Sequence, residues 1–229
     1  MKPKFHLALD TYSIQETLDI LNTGIFKYAD MIECGSSLIF AEGLKAVSEI
    51  KNAFPDKEIV ADMKMSCEML PYYAKQFKDA LTDSMILVTS NDDNVTLKAT
   101  KIASENNLKI YMYLNLNENE IVSDEKLENW KKIGLTNVIF HQMHTEAPYW
   151  RESDYKCIKK ISDYGFDVSV TGKITPELIS SFKEFNIHSF IIGTSVTNAS
   201  EPVAKIERFI DEINDNFNWH KGDVLWILV

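Results

Sequence analysis

Ala61-Asp62-Met63-Lys64 places an acid and a base two residues apart at the end of the apolar run 58–61. Two earlier apolar runs also finish in a carboxylate: 5–9 runs into Asp10, and Met31-Ile32 runs into Glu33. A carboxylate at the end of a buried strand is costly unless it meets a partner. Three such ends, one with a lysine close by, predict strands converging on a shared polar site. Glu33 and Asp62 offer hard oxygen ligands for Mg²⁺, which takes one or two protein carboxylates and leaves positions for water and substrate oxygens. Lys64, flanked by acids, is expected to stay protonated, because nearby opposite charge favours the ammonium. A fixed ammonium beside a metal suits an oxyanion such as an enediolate. It is poorly placed as a Schiff-base amine, which needs a depressed pKa. The structural alternative for Asp62 and Lys64 is an ion pair lining a barrel mouth.

His141 ends a later apolar run, and His144 follows three residues on. A histidine there could move a proton at neutral pH; the alternative, stronger for His144, is a hydrogen-bonded loop histidine. Zinc is disfavoured for His141-Gln142-Met143-His144, which has no third soft ligand. Thr171-Gly172-Lys173 and Ile192-Gly193-Thr194-Ser195 follow the last two apolar runs. Backbone N–H groups in such loops, with a helix start nearby, form a phosphate cradle. Asn91-Asp92-Asp93-Asn94 reads as a helix cap, and 115–120 as solvated loop.

What positions these groups is a single period. Short apolar, β-branched-rich runs occupy 5–9, 30–34, 58–61, 84–89, 109–114, 137–141, 167–171 and 189–193. Amphipathic stretches lie between them, and each pair makes a unit of βα size. Ser13-Ile14-Gln15-Glu16 reads as a capping box. Leu44, Val47, Ile50 and Phe54 fall at helical spacing, and 127–133, 154–164 and 176–185 behave alike. Thr175-Pro176-Glu177 is a helix start, since proline at the first position loses no hydrogen bond. The last long helix is expected over 201–213. Eight nearly continuous apolar runs predict an α/β fold, a (β/α)8 barrel with both strand faces covered. A doubly wound open sheet is the competing architecture. In the barrel, one rim would hold Asp10, Glu33, Asp62, Lys64, Thr89, Asn115, His141, Thr171, Gly193 and Thr194.

Composition narrows the function. At 229 residues and 45% hydrophobic content, the chain fits one domain, 1–229, with an atypical tail over 214–229 that the sequence leaves without a role. A net charge of −10 argues against nucleic acid and against an anionic membrane surface. Cys34, Cys67 and Cys157 are odd in number and scattered, as expected of reduced thiols in a cytoplasm. Met1-Lys2-Pro3-Lys4 opens no apolar leader, and no window reaches membrane-spanning length.

Several of these segments share a spelling. His6-Leu7-Ala8-Leu9-Asp10, Ile32-Glu33-Cys34-Gly35, Ala61-Asp62-Met63-Lys64, Val170-Thr171-Gly172 and Ile192-Gly193-Thr194-Ser195 resemble the 3-keto-L-gulonate-6-phosphate decarboxylase and hexulose-6-phosphate synthase family, within the orotidine-monophosphate-decarboxylase superfamily. The likeness runs in order to about residue 213, and 158–166 strengthens it. It implies a homodimeric (β/α)8 barrel, Mg²⁺, and a sugar phosphate passing through an enediolate formed by decarboxylation or consumed in aldol addition of formaldehyde. By position, Glu33 and Asp62 match the metal ligands, Asp10 a substrate-binding carboxylate, and Lys64 the enediolate-stabilising lysine. His141 matches the histidine that helps deliver a proton; Thr171, Gly172 and Gly193 match parts of the phosphate site.

The chain also departs from that pattern. Cys67 stands where the family's Asp-x-Lys-x-x-Asp ends in an aspartate that reaches the partner subunit. Tyr113 stands for a glutamate, His144 for an arginine, Lys173 for a second loop glycine, and Thr194 for the decarboxylases' phosphate arginine. Losing an arginine fork removes charge-assisted contacts, and Lys173 restores charge without that geometry. Three functions follow: a Mg²⁺-dependent carbon–carbon lyase, a phosphosugar isomerase or epimerase, and a non-catalytic sugar-phosphate-binding protein. An isomerase would need two opposed acid/base groups, for which only His141 and a carboxylate could serve.

Overall fold

Eight parallel strands close on themselves in sequence order: β1 (Lys4–Leu9), β2 (Met31–Cys34), β3 (Glu58–Ser66), β4 (Ser84–Val88), β5 (Lys109–Tyr113), β6 (Asn137–His141), β7 (Asp167–Thr171) and β8 (Ile187–Ile192). The computed structural model describes residues 2–90, 92–114, 116 and 120–217. The barrel closes through β1 and β8, with His6 opposite Ile191 and Leu7 opposite Ile192. Side chains alternate across each strand. Leu7, Leu9, Ile32, Ile59 and Val170 therefore face the helical layer, while Ala8, Met31, Val60, Ile86, Tyr111, Ile139 and Ile191 pack together inside the barrel. The open sheet is thereby excluded.

The helices are α1 (Ile14–Asn22), α2 (Ser36–Glu42), α3 (Lys45–Ala53), α4 (Leu70–Asp79), α5 (Asp93–Glu105), α6 (Asp124–Lys132), α7 (Glu152–Asp163), α8 (Thr194–Thr197) and α9 (Pro202–Phe217). Ser13 Oγ caps α1 by accepting from the Glu16 amide at 3.1 Å, while the Glu16 carboxylate accepts from the Tyr12 amide. Asp92 caps α5 as its sequence predicts; Asn91 and Asn115 lie outside the described residues. The helical spacing of Leu44, Val47, Ile50 and Phe54 corresponds to α3, which Leu44 and Phe54 flank and which Gly43, at φ +70°, separates from α2.

Two expectations need correction. Pro176–Phe182 is a 3-10 helix, and Ser180 and Ser181 donate to the carbonyls of Glu177 and Leu178 three residues back. Its buried residues, Pro176, Ile179 and Phe182, recur every three positions, the period of a tighter helix. The last helix runs four residues beyond the expected end, because Ile206, Phe209, Ile213 and Phe217 continue one buried stripe. Residues 214–217 are thus helix rather than tail, and 218–229 lie outside the described residues.

Phe182 also anchors the loop after β7. Its ring packs on Trp150, Tyr155 and Phe190 at centroid distances of 5.0, 5.5 and 5.6 Å. Such pairs are worth about 0.5–1.5 kcal/mol each beyond burial. Trp150 Nε1 in turn donates to the Gly172 carbonyl at 3.0 Å. Among the described residues, no helix is long and apolar enough to cross a membrane.

The N-terminal mouth is plugged by polar side chains. Lys4 Nζ meets Glu58 at 2.9 Å, and Ser84 and Tyr111 each donate to Glu58 at 3.0 Å. Lys109 Nζ lies 3.7 Å from the same carboxylate, and His188 Nε2 3.1 Å from the Tyr111 hydroxyl.

Candidate active site

At the opposite mouth a cavity of about 620 Å³ gathers Asp10, Glu33, Asp62, Lys64, Tyr113 and His141 with the loops after β7 and β8. Each acid arrives by strand parity. His6, Ala8 and Asp10 share one face of β1 and its extension, Met31 and Glu33 one face of β2, and Val60 and Asp62 one face of β3. β3 does not stop at Asp62 as the sequence predicts. It continues to Ser66 across a register shift between Asp62 and Met65, with Lys64 at φ +47°. The irregular step keeps Lys64 beside Asp62. The Lys64 amide donates to Asp62 Oδ1 at 3.0 Å, and the ammonium pairs with Oδ2.

Asp62 and Glu33 are buried, whereas Asp10 is exposed at the rim. Burial, and next the Glu33 charge, push the Asp62 carboxyl up to about 6 against the pull of Lys64. Burial alone would lower Lys64, but Asp62, Glu33 and Asp10 outweigh it and hold the ammonium above its ordinary value. Glu33 Oε2 stands 2.9 Å from His6 Nε2, without the alignment of a hydrogen bond. His6 is fully buried, and neither ring nitrogen has a hydrogen-bond partner among the described residues.

This donor set fits a divalent cation. Two buried carboxylates, Glu33 and Asp62, stand beside Lys64, and burial together with the Glu33 charge pushes Asp62 towards protonation. A bound cation reverses that pressure. Among the described residues no three His, Cys, Asp or Glu side chains form a cage. Mg²⁺ does not need one, because waters and substrate oxygens complete its shell.

Close backbone approach builds the opposite wall. Gly172 has φ +93°, and a Cβ there would lie 2.6 Å from the Gln142 carbonyl and 2.7 Å from His141 Cδ2. A Cβ on Gly35 would lie 2.2 Å from Asp10 Oδ1. Both positions require glycine for space, and Gly172 also for its dihedral. Gly193 precedes α8, whose first intrahelical bonds come from the Val196 and Thr197 amides. The amides of Thr194 and Ser195 therefore lie ahead of that ladder. Thr171 Oγ1 donates to the Ile191 carbonyl at 3.1 Å, and exposed Lys173 sits 5.5 Å from the Tyr149 ring centroid. The structure thus brings Asp10, Glu33, Asp62, Lys64, His141, Thr171, Gly172, Lys173, Gly193 and Thr194 to one cavity.

His144 is elsewhere. It is buried and meets Asp154 at 3.2 Å; Asp154 also accepts from the Arg151 amide at the start of α7. Cys67 faces the core, with Sγ 3.3 Å from the Val88 carbonyl and 3.7 Å from Met112 Sδ. Burial, and next Glu68, push its thiol up to about 11, so it is inert. Thr89 does not line the cavity. The sequence reading passed over His6 as part of an apolar run; its parity with Asp10 was the available signal.

Comparison with known proteins agrees with this fold. A probable 3-keto-L-gulonate-6-phosphate decarboxylase of Mycoplasma pneumoniae is 29% identical over 219 residues, covering 93% of this chain and 97% of the relative. The crystal structure of 3-keto-L-gulonate-6-phosphate decarboxylase from Vibrio cholerae superposes with a TM-score of 0.84 at 25% identity, over 95% of this chain and 100% of that one. The KGPDC of Streptococcus mutans, solved in complex with a sugar phosphate, gives 0.82 at 26% identity, over 94% and 99%. The pattern of the orotidine 5'-phosphate decarboxylase / HUMPS family matches residues 3–209, and the chain belongs to that family.

Proposed function

We propose that this chain is a Mg²⁺-dependent carbon–carbon lyase acting on a phosphorylated keto-sugar through an enediolate. The observation that carries the reading is the meeting of Lys64 with Glu33 and Asp62 in one cavity, across from the Thr171–Lys173 and Gly193–Ser195 loops. Glu33 and Asp62 would hold the metal, which supplies Lewis acidity towards the substrate's oxygens. Lys64, kept charged by three acids, donates to the oxyanion that develops at the reacting carbons. Asp10 at the rim binds sugar hydroxyls. The loop amides and Lys173 take the phosphate, with Gly172 allowing the backbone to come close. The names of the similar proteins favour the decarboxylase over the synthase direction.

The proposal extends to a homodimer in the cytoplasm. Phe40 is 74% exposed and, with Met69 and Tyr73, edges an apolar groove beside Met63 and Met65, next to the site. An exposed apolar surface of this kind supports the homodimer reading. The three cysteines are free and buried, which fits a reducing compartment.

The test is release of CO₂ from 3-keto-L-gulonate 6-phosphate with Mg²⁺, alongside aldol addition of formaldehyde to a pentulose 5-phosphate. Turnover that Lys64→Ala lowers by roughly 10²–10³ is the expected result. Binding of both sugars without product would favour the non-catalytic reading, which the replacements at Cys67 and Thr194 motivate. Wild-type turnover in Lys64→Ala would remove the mechanism.

A further inference from the structure

Tyr113 ends β5 on the inner face, and its hydroxyl lies 2.8 Å from His141 Nδ1. The two rings meet edge to face, with centroids 5.8 Å apart and planes at 86°. Among the described residues the Tyr113 hydroxyl has one other neighbour, Met143 Sδ at 3.6 Å. A thioether is a weak acceptor and an unprotonated imidazole nitrogen a strong one, so a Tyr113 hydroxyl that donates to Nδ1 is better satisfied than one left to the sulfur. At the other end of the ring, Nε2 has no hydrogen-bond partner among the described residues and lies beside Gly172, where an added Cβ would come within 3.1 Å of it. Burial, and next the charge of Lys64, hold His141 below its ordinary pKa, so the ring is neutral near pH 7. Burial likewise raises Tyr113, so it stays a phenol and keeps its proton to donate.

A neutral imidazole carries one proton. With Nδ1 accepting from Tyr113, that proton is on Nε2. We propose that Tyr113 is a positioning residue that fixes His141 as the Nε2–H tautomer, making it a neutral hydrogen-bond donor into the cavity rather than a base on that nitrogen. The edge-to-face contact with Tyr113 sets the imidazole plane, and the Tyr113 hydroxyl sets which nitrogen faces substrate. The tautomer assignment stands on the protein alone. Its role in turnover rests on the lyase reading.

The test is ¹⁵N NMR of the histidine-labelled, substrate-free protein at pH 7.5, with the His141 signals assigned by their loss in His141→Asn. Wild-type protein should show a pyrrole-type Nε2 and a pyridine-type Nδ1. Tyr113→Phe keeps the ring contact and should mix the two tautomers, while kcat falls about tenfold and KM for the sugar phosphate is unchanged. A wild-type spectrum with the proton on Nδ1 overturns the proposal, and needs no variant to be read. An unchanged tautomer in Tyr113→Phe, or a rise in KM with kcat intact, overturns it as well. Wild-type protein that shows the expected spectrum but releases no product from any keto-sugar phosphate supports the tautomer and counts against the lyase reading instead.

Discussion

At the N-terminal mouth Glu58 meets Lys4, Lys109, Ser84 and Tyr111, whereas at the C-terminal mouth Asp62 meets Lys64 on one side and Glu33 on the other. Both acids lie inside the same barrel. Burial would raise Glu58, but Lys4 and Lys109 bring it down to about 2. For Asp62, burial and Glu33 prevail over a single lysine, and it rises to about 6. The lower cluster is a finished network with two cations for its acid. The upper one gathers Asp10, Glu33 and Asp62 around one ammonium. Electrostatic satisfaction marks the stabilising end, and its shortfall marks the end where chemistry is expected.

Removing a charge should therefore have opposite consequences at the two mouths. The largest effect belongs to Lys64→Ala, which removes the lysine paired with Asp62. Loss of one oxyanion donor lowers kcat by roughly 10²–10³. Asp62 can then protonate, so the thermal midpoint should change little. A variant that loses its fold rather than its turnover would make Lys64 a structural residue.

Glu58→Gln should do the reverse. It exchanges charge-assisted contacts for weaker ones at a cost of about 1.5–3 kcal/mol, read as a lower urea midpoint, with turnover unchanged. Asp62→Asn in the metal-free protein should cost nothing, because it removes a charge that burial and Glu33 already oppose. Equal destabilisation by the two variants would erase the contrast.

Smaller, but of opposite sign, are the pH dependences of the metal-free protein. Glu58 has its folded pKa depressed from 4.5 to about 2, so its stabilisation is present above 4.5 and lost as pH falls towards 2. Asp62 has its folded pKa raised from 3.8 to about 6, so its contribution is full below 3.8 and lost as pH rises through 6. Thermal midpoints from pH 2.5 to 7 should show Glu58→Gln flattening the acid limb and Asp62→Asn the neutral one. One variant flattening both limbs would contradict the separation.

Of the two mouths, only the upper one was legible in the sequence. Apolar runs that end in a carboxylate exposed Asp10, Glu33 and Asp62 as strand ends on one rim, and the count of eight implied closure. The bulge that carries Lys64 was not legible, since a left-handed lysine has no local spelling. The 3-10 turn at Pro176–Phe182 shares its start signals with an α-helix, and only side-chain back-bonding and a three-residue buried period separate them. The pairing of Tyr113 with His141 joins β5 to β6, a contact that no single-strand pattern encodes. His144 is the hydrogen-bonded loop histidine that the sequence favoured, but its partner Asp154, at the start of α7, could not be read from the sequence.

The most direct measurement is calorimetric titration of MgCl₂ into metal-free protein, compared with Glu33→Gln and Asp62→Asn. One Mg²⁺ per chain in the wild type, lost in each variant while Glu58→Gln binds normally, is the expected result. A wild-type isotherm that is flat, or that survives removal of both upper carboxylates, would contradict the claim that Glu33 and Asp62 bind a divalent cation at this mouth.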